Sequence, residues 1–316
     1  MDAGDRSFGT YLVEGHPYPR VILGGDQFLD YWGPQKDARL GTQQGAFEIM
    51  RAAYEAGVRG FDLSMNDHVR LAFEQVQQET GCGAVGIANV NWKLGLHSGD
   101  SPLWNIRGRV VATVLRNCLG GEADRLRMEN TGAWREWFEC ADGSNPLSYE
   151  EIANWSLDEE DYRQRLRDYR GLATFCLVGS DYGDWCIALG RTDILNRMIV
   201  CAREEGFIPI SVGHWTSLSL PVFEQLDFPG HWVMVCVDRQ LLSVGQMIAA
   251  VTAARKPITA FQVLGHGRLS GRMAEAISFV RDTINPFSIV LGVCSPNQAI
   301  QTFGLLRELM PNYQPP

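Results

Sequence analysis

The chain has 316 residues, of which 45% are hydrophobic and 21% charged, enough apolar material for a large core without disulfide staples. With 28 Lys+Arg against 37 Asp+Glu the net charge is −9, which argues against a protein that grips the nucleic-acid backbone through a basic face. No apolar run approaches the ~20 residues of a membrane span, and MDAGDRSFGTYLVEG lacks the pattern of a signal peptide, so a cytoplasmic location is expected.

The elements alternate along the chain. Tyr11–Val13 and Arg20–Leu23 flank EGHPYP (residues 14–19), which predicts a small hairpin able to cap the bottom of a barrel. Arg20–Leu23 is also the first buried strand, ending at Gly24-Gly25-Asp26. A helix follows over Gly45–Ala56, with Phe47, Met50, Ala53 and Tyr54 at helical spacing and Gly57 as its stop. Then come strand Arg59–Leu63, helix Asp67–Gln78 and strand Ala84–Val90. Later strands fall at Ala173–Val178, Ile208–Val212, Trp232–Val237, Ile258–Val263 and Ser288–Leu291. The helices between them include Asp158–Tyr169, Thr192–Glu205, Val244–Ala254 and Met273–Asp282.

Eight strands alternating with helices predict parallel pairing through crossovers, because a tight turn cannot join parallel neighbours. The fold class is therefore α/β, a single (β/α)8 TIM barrel over residues 1–316. Residues 91–155 stand outside the repeat, as an insertion after the third strand that carries Trp104, Trp134, Trp137 and Trp155. It is expected to be either a lid over the C-terminal mouth, where barrels keep their active sites, or a satellite core. The eight cysteines form no C-x-x-C pair, and several sit inside apolar runs such as TFCLV and VMVCV; reduced thiols are expected rather than zinc or disulfides.

Several segments, in order, resemble the aldo-keto reductases. VILGGDQF after a hairpin is similar to that family's first strand, and AYEAGVRGFDLS to its second. ISVGHWTS resembles the fifth strand of divergent members, VLGHGRLSGR the loop after the seventh, and SIVLGVCSPNQAIQTFGLL the last strand and helix. The resemblance implies a barrel oxidoreductase that uses NAD or NADP on a small carbonyl or alcohol, with an Asp, a Tyr, a Lys and a His around the nicotinamide.

Asp62 in GFDLS occupies the Asp position. The chain departs at the other three. Met65-Asn66-Asp67-His68 stands where the Tyr is expected, Asn89 and Asn91 stand where the Lys is expected with Lys93 shortly after, and Ser180-Asp181 stands where the His is expected. A non-standard proton donor follows: His68, an imidazole able to act as a general acid, or Tyr182, with Lys93 reaching back to pair with Asp62.

For the cofactor, Gly265 and Gly267 would let backbone N–H groups approach a pyrophosphate that Arg268 could pair with. Ser295, Asn297 and Gln298 match the adenosine side at a helix N-terminus, and His214 lies where the family holds the nicotinamide amide. No Arg or Lys occurs between Val290 and Leu306, which tilts the expectation from NADP toward NAD.

Two other readings compete. In the first, Asp26, Asp62, His214 and Asp238 at the strand ends gather a divalent metal, in a lyase, isomerase or hydrolase that has lost nicotinamide chemistry. In the second, the barrel is a non-catalytic descendant that binds a ligand or partner.

Overall fold

A computed structural model describes residues 7–29, 38–64, 66–81, 83–119, 141–237 and 243–313. Cys82, Trp134, Trp137, Cys140 and Asp238 lie outside the described residues. The chain opens with a hairpin of β1 (Thr10–Val13) and β2 (His16–Pro19), paired antiparallel with Thr10 opposite Pro19 and Val13 opposite His16. Its two-residue turn, Glu14-Gly15, takes positive φ at both positions (49° and 82°), the twist that suits a tight hairpin. The second strand is thus His16–Pro19, not Arg20–Leu23 as the sequence suggested, because the turn needs only Glu14 and Gly15.

β3 (Val21–Leu23) begins the barrel, and α1 (Gln43–Glu55) follows it. Thr42 caps α1 by accepting the Gly45 N–H at 3.1 Å, and Gly57 at φ 105° ends it. β4 (Gly60–Leu63), α2 (Asp67–Thr80) and β5 (Val85–Asn89) come next.

The insertion then supplies β6 (Leu96–Ser98), β7 (Ser101–Pro102), α3 (Arg107–Leu119), α4 (Tyr149–Ala153) and β8 (Trp155–Leu157). α5 (Glu159–Arg167) leads to β9 (Ala173–Gly179), α6 (Ser180–Ala188) and α7 (Thr192–Glu204). The rest is β10 (Ile208–Gly213), α8 (Thr216–Phe223), β11 (His231–Met234), α9 (Val244–Ala253), β12 (Ile258–Phe261), α10 (Met273–Thr283), β13 (Ser288–Leu291) and α11 (Pro296–Leu309).

Eight strands, β3, β4, β5 and β9 to β13, close into a barrel in which every neighbouring pair is parallel. The sequence expectation of a (β/α)8 barrel is met. The strands are buried almost throughout, as expected where helices cover a parallel sheet from outside.

The hairpin plugs the barrel's N-terminal end. The Tyr18 hydroxyl accepts the Trp232 indole N–H at 2.5 Å and lies 3.4 Å from Thr259 Oγ1, while its ring packs edge-on against Phe175 at 4.8 Å. With that end filled, ligand space can open only at the other.

The insertion builds its own small sheet, β7-β6-β8, and docks beside the mouth. Arg191, at the start of α7, donates to the carbonyls of Ile152 (2.5 Å) and Trp155 (2.9 Å). Leu94, Leu96, Leu103, Val110, Val114, Leu147, Ile152 and Trp155 bury their side chains, so the described insertion is a satellite core laid against α6 and α7. Cys176, Cys186, Cys201 and Cys236 are free and buried, and Cys294 is free and exposed.

Candidate active site

A cavity of about 930 Å³ opens at the C-terminal ends of the strands, near the upper end of the usual size for small-molecule sites. Its apolar walls are Leu177, Val212, Trp232, Phe261, Val290 and Leu291. Its polar groups include Asp26, Asp62, Asn89, Ser180, His214, Gln262, His266 and Gln298. No described lysine or arginine lines it.

Asp62, the next-to-last residue of β4, is 5% exposed. Its Oδ2 accepts the Gly25 N–H at 3.1 Å, while Oδ1 is buried and closes no hydrogen bond. Burial, reinforced by the Asp26 carboxylate, raises its pKa to about 7, and the Gly25 N–H and Asn89 amide only partly oppose this. Asp62 therefore exchanges its proton around neutral pH. A Cβ on Gly25 would lie 2.7 Å from the Asp62 carbonyl oxygen, so only glycine lets the first strand's end come this close to the second's.

His214 follows β10 toward the other side of the mouth, three strands round from β4 through β5 and β9. Its backbone N–H donates to Asp184 Oδ2 at 2.8 Å. Its Nδ1 lies 3.2 Å from Asp181 Oδ1 and 3.6 Å from Asp184 Oδ2, and its ring meets the edge of Phe261 at 5.3 Å. Asp184 has no exposed surface and also accepts from the Trp215 N–H and the Ser219 hydroxyl, so it fixes the whole turn after β10.

Three expected catalytic residues are elsewhere. Tyr182 sits on α6 against Trp185 with its ring buried, its hydroxyl without a hydrogen bond and its pKa pushed upward by burial; it does not reach the cavity. Lys93 takes φ 47° in the turn after β5, which sends its exposed side chain over the Trp92 ring, 5.7 Å away, rather than back to Asp62. His68 is on the first turn of α2, part-buried and outside the cavity wall.

The cofactor residues divide. His214, Gly267 and Gln298 line the cavity; Gly265, Arg268, Ser295 and Asn297 do not. The glycine loop commits several N–H groups to its own turns: Gly265 donates to the Gln262 carbonyl at 2.8 Å and Ser270 to the Gly267 carbonyl at 3.1 Å. Arg268 is exposed beside it. At α11, Ser295 Oγ accepts the Gln298 N–H at 3.2 Å and Gln298 Oε1 accepts the Cys294 N–H at 2.8 Å. That N-terminus is therefore partly satisfied by its own side chains.

The residues weighed for a metal also divide. The one group of metal-ligating side chains that converges among the described residues is Asp181, Asp184 and His214, without Asp26 or Asp62. The sequence reasoning overlooked Asp184, although its i, i+3 spacing from Asp181 would have put both on one helix face. It also overlooked Gln262, at φ 53° with a buried Oε1 that has no hydrogen bond, and the aromatic walls Trp232 and Phe261.

No protein-family model and no curated protein matches the sequence. Among solved structures the chain is similar to a candidate aldo-keto reductase from Pseudomonas aeruginosa, with a TM-score of 0.58 and 12% identity over 98% of this chain and 100% of that one. It is also similar to an aldo-keto reductase of the silkworm Bombyx mori, with a TM-score of 0.50 and 10% identity over 97% of this chain and 87% of that one. At such identities the likeness is one of fold: the protein shares the (β/α)8 barrel of these structures.

Proposed function

We propose that this protein is an aldo-keto-reductase-like oxidoreductase that uses NAD or NADP on a small carbonyl or alcohol substrate, with Asp62 in place of a tyrosine as the proton-transfer group. The observation that carries this reading is a carboxyl group buried in the wall of the cavity beside Asp26, surroundings that push its pKa up to about 7. A group that titrates at working pH is matched to proton transfer in either direction.

The cavity is large enough for an extended ligand, and the residues that would hold a dinucleotide lie on its β12 and β13 side. Gly267 and Gly271 leave open space where a Cβ would stand. Ser270, Gln298, Gln301 and Thr302 offer polar contacts along the same wall. Gln262 Oε1 supplies a buried acceptor suited to a carboxamide N–H. With no cation among the described wall residues to clamp a 2′-phosphate, NAD is favoured over NADP. When bound, the nicotinamide supplies or accepts the hydride. Neutral Asp62 gives its proton to the substrate oxygen in reduction, and the carboxylate takes it back in oxidation. Trp232, Phe261 and Leu291 exclude water from that exchange.

One observation supports a second reading, a non-redox isomerase or lyase. Asp62 and His214 line one cavity from well-separated strands, as two-base proton transfer requires.

Titration with NADH and NADPH, followed by tryptophan fluorescence, separates the two, because Trp232 is in the cavity wall. The oxidoreductase reading expects saturable quenching at micromolar cofactor, stronger with NADH and lost in Gly267→Trp. No binding at millimolar cofactor refutes it and leaves the second reading.

A further inference from the structure

We propose that the same cavity holds a serine nucleophile: Ser180 attacks small carboxylic esters with His214 as its base and Asp181 orienting the imidazole. The assignment does not depend on nicotinamide binding.

The chain at Ser180 is unusual in a specific way. β9 ends at Gly179 and α6 begins at the next residue, with no connecting loop. Gly179 takes φ 123° and Ser180, which is not glycine, takes φ 55°. A side chain in that left-handed region is strained, and the strain persists only where the surroundings impose it. Here they do. The Gly179 N–H donates to Asn91 Oδ1 at 3.2 Å, Asn91 Nδ2 donates to the Leu177 carbonyl at 3.1 Å, and a Cβ on Gly179 would lie 2.6 Å from the Val212 carbonyl. A sharp strand-to-helix turn that carries a serine at positive φ is how a hydroxyl is held up at a barrel or sheet mouth for attack.

The base comes from the neighbouring strand. Gly179 and Val212 are the last paired residues of β9 and β10, so Ser180 and His214 both follow the ends of adjacent strands. Both side chains line the cavity. His214 Nδ1 lies 3.2 Å from Asp181 Oδ1, close enough for that carboxylate to turn onto the ring nitrogen and orient it. Gly179 caps α6 without a side-chain hydrogen bond, which leaves the positive end of the helix at Ser180 itself.

The reaction balances without any other reagent than water. Ser180 Oγ bonds to the acyl carbon as its proton passes to His214, and the carbonyl π pair moves onto oxygen. Collapse breaks the bond to the alkoxy oxygen, which leaves as the alcohol with the proton from His214. Water, deprotonated by His214, then cleaves the acyl-serine, releasing the carboxylic acid and restoring Ser180. The Asp26 carboxylate and the lack of a described lysine or arginine in the wall select neutral or cationic esters over anionic ones.

The test uses the whole chain, a small alkyl fluorophosphonate as covalent probe, and p-nitrophenyl acetate and butyrate as substrates. One adduct per chain is expected, located on Ser180 by peptide mass spectrometry. Ser180→Gly suits the backbone at φ 55°, so it should fold at least as stably as the wild type yet lose the adduct and hydrolyse the esters roughly 1000-fold more slowly or worse. His214→Gln should slow labelling about 100-fold or more. Asp181→Asn should lower kcat about 10-fold or more with KM unchanged, and an unchanged kcat removes Asp181 from the assignment. No adduct, an adduct on another residue, or ester hydrolysis at the wild-type rate in folded Ser180→Gly overturns the proposal.

Discussion

Replacing Asp62 with asparagine should stabilise the protein above neutral pH while it removes the proposed chemistry. Asp62 is 5% exposed, and its pKa rises from the ordinary 3.8 to about 7, mainly through burial. The folded state therefore holds this proton more tightly than the unfolded state does. Stability from this group is full below about pH 4 and falls as pH rises toward about 7. A gap of about three pH units, at about 1.4 kcal/mol each, is worth about 4 kcal/mol once both states are ionised. Asp62→Asn has no charge to desolvate, and its side-chain oxygen can still accept the Gly25 N–H.

Urea unfolding followed by tryptophan fluorescence at pH 5 and pH 8 measures the difference. The variant should gain on the wild type by about 2.5 kcal/mol between pH 5 and pH 8, the rest of the effect lying below pH 5. The comparison with wild type is necessary because buried His231 tilts the curve the other way. An Asp62→Asn protein that is no more stable relative to wild type at pH 8 than at pH 5 would refute the claim that burial holds this carboxyl in its neutral form.

Other perturbations test the surrounding frame. Gly25→Ala forces a Cβ to within 2.7 Å of the Asp62 carbonyl oxygen, so a loss of about 2 kcal/mol in urea unfolding is expected, together with a shifted Asp62 titration by NMR. Gly179→Ala, at φ 123° and 2.6 Å from the Val212 carbonyl, should cost about 3 kcal/mol or more by the same assay. His231, fully buried between Ser211 Oγ at 2.7 Å and Glu224 Oε1 at 3.1 Å, has its pKa pushed below the ordinary 6.5 by desolvation. Its contribution is present above about pH 6.5 and lost as pH falls, at up to about 1.4 kcal/mol per pH unit. His231→Gln should flatten that acid limb, as read from urea midpoints between pH 5 and 7.

The architecture was legible because it rests on pattern. Short buried strands such as Val21–Leu23 and Ser288–Leu291 are continuous apolar runs bounded by glycine or polar turns, and the helices between them keep a 3.6-residue period. α8 (Thr216–Phe223) escaped because it contains Pro221 and has little polar face, and α6 (Ser180–Ala188) because Gly179, Ser180 and Gly183 suggest a loop. Asp62 and His214 could be found from the sequence because a residue at or just past the C-terminal end of a buried strand has little choice but the barrel mouth, and Gly267 because its loop resembles that of a known family.

Lys93 and Tyr182 could not be placed, since one or two backbone angles decide where they point. Positive φ at Lys93 turns its side chain outward, and the abrupt start of α6 carries Tyr182 round beneath the insertion while leaving Ser180 in the cavity. The raised pKa of Asp62 was equally invisible, because it comes from burial against Gly25 and from Asp26, which the barrel brings across from another strand.

The most direct test of the central claim is NADH-dependent reduction of small aldehydes and ketones by wild type and Asp62→Asn across pH 5.5 to 8.5, with cofactor affinity measured alongside. The wild-type rate should fall as pH rises through about 7, as Asp62 loses its proton. The variant should bind NADH as the wild type does and reduce substrate about 100-fold more slowly or worse, with no inflection near neutrality. Reduction by Asp62→Asn at the wild-type rate, with the same pH profile, would contradict the assignment of Asp62 as the proton donor.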